Sequence, residues 1–205
     1  MNLPNKLTLG RIIMIPFFVF FLVYNFYEDP NMSRLIAAAL FIVASFTDYL
    51  DGYLARSRNL ITDFGKFMDP LADKFLILGA MFAICFSNYI FDYESIGFAT
   101  SISSEIIKHL FFWTAIVVVF RELAVTSMRL VVVKASGAVI AASSLGKIKT
   151  VTQIIATSAV MLEPVVFPFF KGWLTVVSTA AMLFFTVLSG ISYIKTYWKF
   201  INTNK

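Results

Sequence analysis

The chain has 205 residues, of which 59% are hydrophobic and 14% charged, with a net charge of +5. That composition excludes a disordered or fibrous chain and fits a polytopic membrane protein better than a soluble core. With no Pro/Gly/Ser-rich linker and no separate polar domain, residues 1–205 read as one integral-membrane domain.

Six apolar stretches follow in chain order, near 11–27, 33–57, 69–91, 110–133, 147–169 and 173–198. Each approaches the roughly 20 residues that an α-helix needs to cross a bilayer, so the fold is expected to be all-α with six transmembrane helices. The first stretch carries no small-residue cleavage site and is expected to remain as an uncleaved span, which Pro16 is placed to bend. The lone Cys85 lies in an apolar run and excludes an intrachain disulfide. Trp113, Trp173 and Trp198 fall near span ends, as interfacial belt residues do.

Placing the N-terminus inside puts fourteen of the seventeen Lys and Arg residues on that side and leaves Arg34, Lys108 and Lys171 on the other. This positive-inside bias predicts cytoplasmic termini. The basic residues are spread over helix ends rather than clustered on one soluble face, so no nucleic-acid partner is expected.

The stretch DYLDGYLARSRNLITDFGKFMDPLAD, residues 48–73, breaks the apolar pattern with Asp48, Asp51, Asp69 and Asp73. Carboxylates at membrane depth are costly and mark functional sites. Asp48, Asp51, Gly52, Ala55 and Arg56 share a face of the second helix by their spacing, and Asp69 and Asp73 share a face of the third. A short connection makes the two helices neighbours, so the four carboxylates are expected to converge at the cytoplasmic ends. Hard oxygen ligands point to Mg²⁺ or Mn²⁺. A structural salt-bridge cluster is the competing reading, disfavoured because Arg58 and Lys66 can reach water. Gly52 and Ala55 serve either close helix packing or room for a flat ligand. Gly65 stands before the third helix, as a loop glycine or as part of the site.

The spacing D-x2-D-G-x2-A-R-x8-G-x3-D-x3-D, filled at Asp48, Asp51, Gly52, Ala55, Arg56, Gly65, Asp69 and Asp73, resembles the signature of the CDP-alcohol phosphotransferases. The resemblance implies that family's fold and a pair of divalent ions. It implies Asp48, Asp51 and Asp69 as metal ligands, and Asp73 as general base and further ligand. Gly52, Ala55, Arg56 and Gly65 would line the CDP-lipid site. The leading segment LPNKLTLGR is similar too, which implies that Asn5 and Thr8 contact the nucleotide or diphosphate. Read alone, that segment is an interfacial helix start with Thr8 near the cap. Thr62, between the two halves of the signature, is a further candidate for the CDP moiety.

Farther along, Arg121 and Arg129 are eight apart, on one helical face, and Lys147 and Lys149 open the fifth stretch. Arg121 sits deeper than topology requires, which suggests an anionic substrate group. The stretches RELAVTSMR and GKIKT resemble those of bacterial phosphatidylglycerophosphate synthases. That implies CDP-diacylglycerol as donor, glycerol 3-phosphate as acceptor, and Arg121, Arg129, Lys147 and Lys149 as holders of its phosphate. It also implies phospholipid biosynthesis in a bacterial inner membrane and a homodimer, while the positive-inside bias is what turns the site to the cytoplasm. Rival readings within the family take inositol phosphate, phosphatidylglycerol or serine as acceptor. A small membrane transporter is the rival from another class, disfavoured because the carboxylates lie at helix ends and no inverted repeat is evident.

Overall fold

Proline and threonine set two of the helix starts. Pro4 stands in the first turn of α1 (Leu3–Val23), where a missing N–H costs nothing. Thr62 caps α3 (Asp63–Phe86), accepting from the Gly65 amide at 3.0 Å. The other helices are α2 (Pro30–Ser57), α4 (Ser104–Ser136), α5 (Ser144–Val166) and α6 (Trp173–Ile201), with a 3₁₀ turn at Pro168–Phe170. The computed structural model describes residues 2–25, 29–57, 62–136 and 144–201, and every regular element among them is helical. The helices match the six expected stretches, with two shifts. α1 begins well before residue 11, and α3 begins at Asp63, so Gly65 is a residue of its first turn and not of a loop.

Three helical stretches among the described residues, Asn5–Val23, Pro30–Asp48 and Trp173–Trp198, are long and apolar enough to cross a membrane. The other helices carry ionisable residues inside their lengths: Asp69, Asp73 and Lys74 in α3, Arg121, Glu122 and Arg129 in α4, and Lys147, Lys149 and Glu163 in α5. Outer faces are apolar all the same. Phe17, Phe75, Phe82, Trp113, Phe120 and Trp198 are exposed, while Arg11 and Arg34 are fully buried. Apolar surface outside and charge inside suit a lipid surround.

α1 packs closely on both α2 and α3, which touch each other much less. The expected direct α2–α3 pairing is therefore largely mediated by α1. Gly79 faces Ile15 and Val19 of α1, and a methyl there would meet them only in ordinary contact, so the approach does not depend on glycine. α6 packs on α4 and α5, and α5 also on α2. Phe18, Leu22, Phe41, Leu76, Met81, Ile84, Phe111 and Val160 belong to one buried cluster. Val125, Val132, Tyr193 and Tyr197 form a second, smaller one between α4 and α6.

The ends opposite the signature are tied by buried charge. Arg34 donates to the carbonyls of Tyr89 and Ile90 after α3 and lies over the rings of Tyr89 and Tyr93. Its assignment to the outer side as a topology charge misses this role. Glu163 of α5 accepts from the amides of Gly172 (2.8 Å), Leu174 (3.2 Å) and Thr175 (2.7 Å), capping α6 with a carboxylate where the helix dipole favours one. The turn that permits this has Lys171 and Gly172 at φ 51° and 92°.

Candidate functional site

Asn5, Thr8 and Arg11 follow at three-residue steps on α1 and point one polar edge of an apolar helix into the bundle. All three are buried. Asn5 Oδ1 accepts from Thr62 Oγ1 at 3.0 Å, and Thr8 Oγ1 donates to Asp69 Oδ1 at 2.7 Å. Arg11 forms an ion pair with Asp48. One edge of α1 thus links the cap of α3, Asp69 of α3 and Asp48 of α2. The helix-start reading of Thr8 is overturned, since α1 begins at Leu3 and Thr8 lies inside it.

Gly65 completes this corner. A methyl built on it would come within 3.2 Å of Asn5 Oδ1, 3.3 Å of Thr62 Oγ1 and 3.6 Å of Asp69 Oδ2. Three oxygens from three different side chains face the space that glycine leaves open. Such hard donors fit Mg²⁺ or Mn²⁺ in type.

Asp73 lies within electrostatic reach of Asp48, Lys149, Glu122 and Arg11. Asp48, Asp69 and Asp73 are therefore gathered in one region. Among the described residues, no three of His, Cys, Asp and Glu stand close enough to enclose an ion. The side chains of Asp51, Ala55 and Arg56 lie outside the described residues, although the backbone there is helical. Gly52 is half-buried on α2. Arg11, which the charge count assigned to topology alone, gives Asp48 a cationic partner from a different helix.

A second constellation joins α4, α5 and α6. Glu122 Oε1 accepts from Arg121 Nη1 at 2.9 Å and from Lys149 Nζ. Lys149 and Glu122 are buried, and the Arg121 side chain is only 10% exposed. Removing one partner of such a buried pair leaves the other charge uncompensated, which is strongly destabilising. Arg129 Nη2 donates to Tyr193 Oη at 2.8 Å, and the guanidinium carbons of Arg121 and Arg129 lie 5.2 and 5.3 Å from the Tyr193 ring centre. The expected shared face of Arg121 and Arg129 is present. Lys147 is exposed instead, because two residues of helix turn it about 200° from Lys149. Ser144 is exposed, and Ser143 lies outside the described residues.

Sequence reasoning passes over several of these residues. Glu122 accepts from Lys149 as well as from its neighbour Arg121. Lys74 donates to Thr126 Oγ1, whose hydroxyl donates to the Glu122 carbonyl at 2.7 Å, tying α3 to α4 beside Asp73. Tyr193 meets the arginines of α4 only once α6 is packed on that helix. The signal for Arg11 is present in the sequence as the three-residue spacing from Asn5 and Thr8.

The arrangement can hold a polyanion between a carboxylate corner and a buried cationic corner, with Asp73 in electrostatic reach of Lys149. The profile of the CDP-alcohol phosphatidyltransferase family matches residues 1–189. The chain is 39% identical over 211 residues to a Bacillus subtilis protein named CDP-diacylglycerol–glycerol-3-phosphate 3-phosphatidyltransferase, covering 99% of this chain and 98% of that one. An Escherichia coli protein of the same name is 34% identical, with 93% of each chain covered. A Mycobacterium tuberculosis protein named as a probable phosphatidylglycerophosphate synthase is 35% identical over 94% of this chain and 80% of its own.

Proposed function

The chain belongs to the CDP-alcohol phosphatidyltransferase family, and on that premise we propose that it transfers the phosphatidyl group of CDP-diacylglycerol to glycerol 3-phosphate. The products are phosphatidylglycerophosphate and CMP. Relatives named for this reaction cover nearly the whole chain. They favour glycerol 3-phosphate over inositol phosphate, serine or phosphatidylglycerol, and an enzyme over a transporter. The observation that carries the reading to this site is the buried Lys149–Glu122–Arg121 cluster within electrostatic reach of Asp73. It supports a phosphate-binding corner near Asp73.

In this reading Asp48, Asp51 and Asp69 hold two divalent ions, Mg²⁺ or Mn²⁺, with Asp73 able to join them. Bound there, such ions neutralise charge on the diphosphate and on the departing CMP oxygen. Asn5, Thr8, Gly52, Ala55, Arg56, Thr62 and Gly65 line the CDP-lipid site. Thr8 and Arg11 fix the carboxylates of Asp69 and Asp48 through the contacts described above. Arg121, Arg129 and Lys149 hold the acceptor's phosphate, and Lys147 draws it in from the surface. A glycerol hydroxyl attacks the lipid-side phosphorus, the bond to CMP breaks, and CMP leaves with the electron pair. Asp73 takes the hydroxyl proton, and so acts as general base.

All six helices cross the membrane in this proposal, with the termini and the aspartates on the cytoplasmic side of a bacterial inner membrane. The positive-inside bias of the sequence supports that orientation. Surrounding lipid and a second copy of the chain complete the partners. The test is CMP release by purified protein supplied with CDP-diacylglycerol, glycerol 3-phosphate and Mg²⁺ or Mn²⁺. Asp69→Asn is expected to lower turnover by roughly a hundredfold or more, the scale of losing a group that stabilises transition-state charge. Unchanged turnover in that variant refutes the assignment.

A further inference from the structure

Gly190 and Tyr193 are three residues apart on α6 and share the face turned to α4. A methyl on Gly190 would stand 3.4 Å from Arg121 Cγ, so the glycine gives the arginine stem its passage. One turn on, the Tyr193 ring receives the guanidinium of Arg121 at 5.2 Å and that of Arg129 at 5.3 Å, and its hydroxyl accepts from Arg129 at 2.8 Å. Tyr193 is 5% exposed and stacks on Tyr197, also buried, with ring centres 5.9 Å apart and planes inclined by 13°. The phenol is thus held from behind and cannot swing away from the two arginines.

Glu122 and Tyr193 hold these cations by different means. Glu122 is an anion, and it offsets charge on Arg121 and Lys149. Tyr193 is neutral, so it fixes the direction of Arg121 and Arg129 through ring and hydroxyl while leaving their charge in place. The three cations against one carboxylate leave this corner two positive charges on these side chains, which suits a phosphate monoester dianion. We infer that Tyr193 is a positioning residue for the acceptor phosphate, aiming Arg121 and Arg129 from α6, and that α6 is therefore part of the acceptor subsite. The inference rests on the reading above that Arg121 holds that phosphate.

The experiment compares KM for glycerol 3-phosphate and for CDP-diacylglycerol in Tyr193→Phe, Tyr193→Leu and Arg121→Gln. Tyr193→Leu is expected to raise KM for glycerol 3-phosphate about tenfold, with KM for CDP-diacylglycerol within twofold of the parent. Tyr193→Phe keeps the ring and loses the hydroxyl, so a two- to fivefold rise is expected, restoring much of what leucine loses. A KM for glycerol 3-phosphate within twofold in Tyr193→Leu, or an equal rise in both KM values, overturns the inference. Should Tyr193→Leu not yield folded protein, Tyr193→Phe decides by the same split, a rise below twofold counting against. Arg121→Gln separates the two levels: if it leaves KM for glycerol 3-phosphate unchanged, the underlying reading of the phosphate site fails.

Discussion

Replacing Thr8 by valine removes one hydroxyl from the buried edge of α1 and keeps the β-branched shape. Thr8 is 1% exposed, so solvent cannot replace what is lost, and valine fills the same space without leaving a cavity. The lost contact is the 2.7 Å bond to Asp69 Oδ1. Hydrogen bonds to charged groups contribute about 1.5–3 kcal/mol, and tenfold in rate corresponds to about 1.4 kcal/mol. If Thr8 orients Asp69 for catalysis, Thr8→Val lowers kcat/KM by roughly ten- to a hundredfold. The assay is initial CMP release by purified enzyme in mixed micelles, repeated over a titration of Mg²⁺ or Mn²⁺. The apparent metal requirement is expected to rise, because a carboxylate that no longer has a fixed rotamer is a poorer ligand. Thr8→Ser keeps the donor and is expected to stay within about threefold of the parent, since the hydroxyl carries the effect. A Thr8→Val enzyme with kcat/KM within twofold of the parent at every metal concentration refutes the orienting role.

Two further perturbations separate site from scaffold. Gly65→Ala forces a methyl toward Asn5 Oδ1 and Thr62 Oγ1, at 3.2 and 3.3 Å, and strains the bond between them. KM for CDP-diacylglycerol is expected to rise about fivefold, the worth of one hydrogen bond of about 1 kcal/mol. An unchanged KM shows that this corner does not face the donor. Glu163→Gln puts an amide donor against amides that already donate, costing about 1–3 kcal/mol of stability. Thermal unfolding should shift down by several degrees while both KM values hold, because the amide oxygen that glutamine keeps still accepts from the α6 amides and preserves the register of the helix. A shift in KM without a shift in melting contradicts a purely structural cap.

The apolar runs and the spacing of the aspartates made the helices and the first half of the site legible. Length and hydropathy mark a helix well, and steps of three or four residues place side chains on one face. The start of α3 was less visible because Asp63, Gly65 and Lys66 interrupt the apolar pattern, although Thr62 three residues before Gly65 is a capping signal. The role of α1 was hidden for a different reason. Arg11 looks like one more cytoplasmic charge, and only packing reveals that it is buried on Asp48. Lys147 and Lys149 were grouped by proximity along the chain, whereas two residues of helix set them on nearly opposite sides. Tyr193 depends on a contact between residues 64 positions apart, and nothing local in the sequence announces it.

The carboxylate of Glu163 has a consequence far from where it sits. It grips the amides of Gly172, Leu174 and Thr175 and so fixes which residue of α6 begins the helix. From Thr175 to Tyr193 the helix rises about 27 Å at 1.5 Å per residue. A slip of a single residue at the cap would move the phenol by about 1.5 Å and turn it by about 100°, away from both guanidinium groups. The cap therefore works as an index stop, setting on one side of the bundle the angular bearing of a ring on the other.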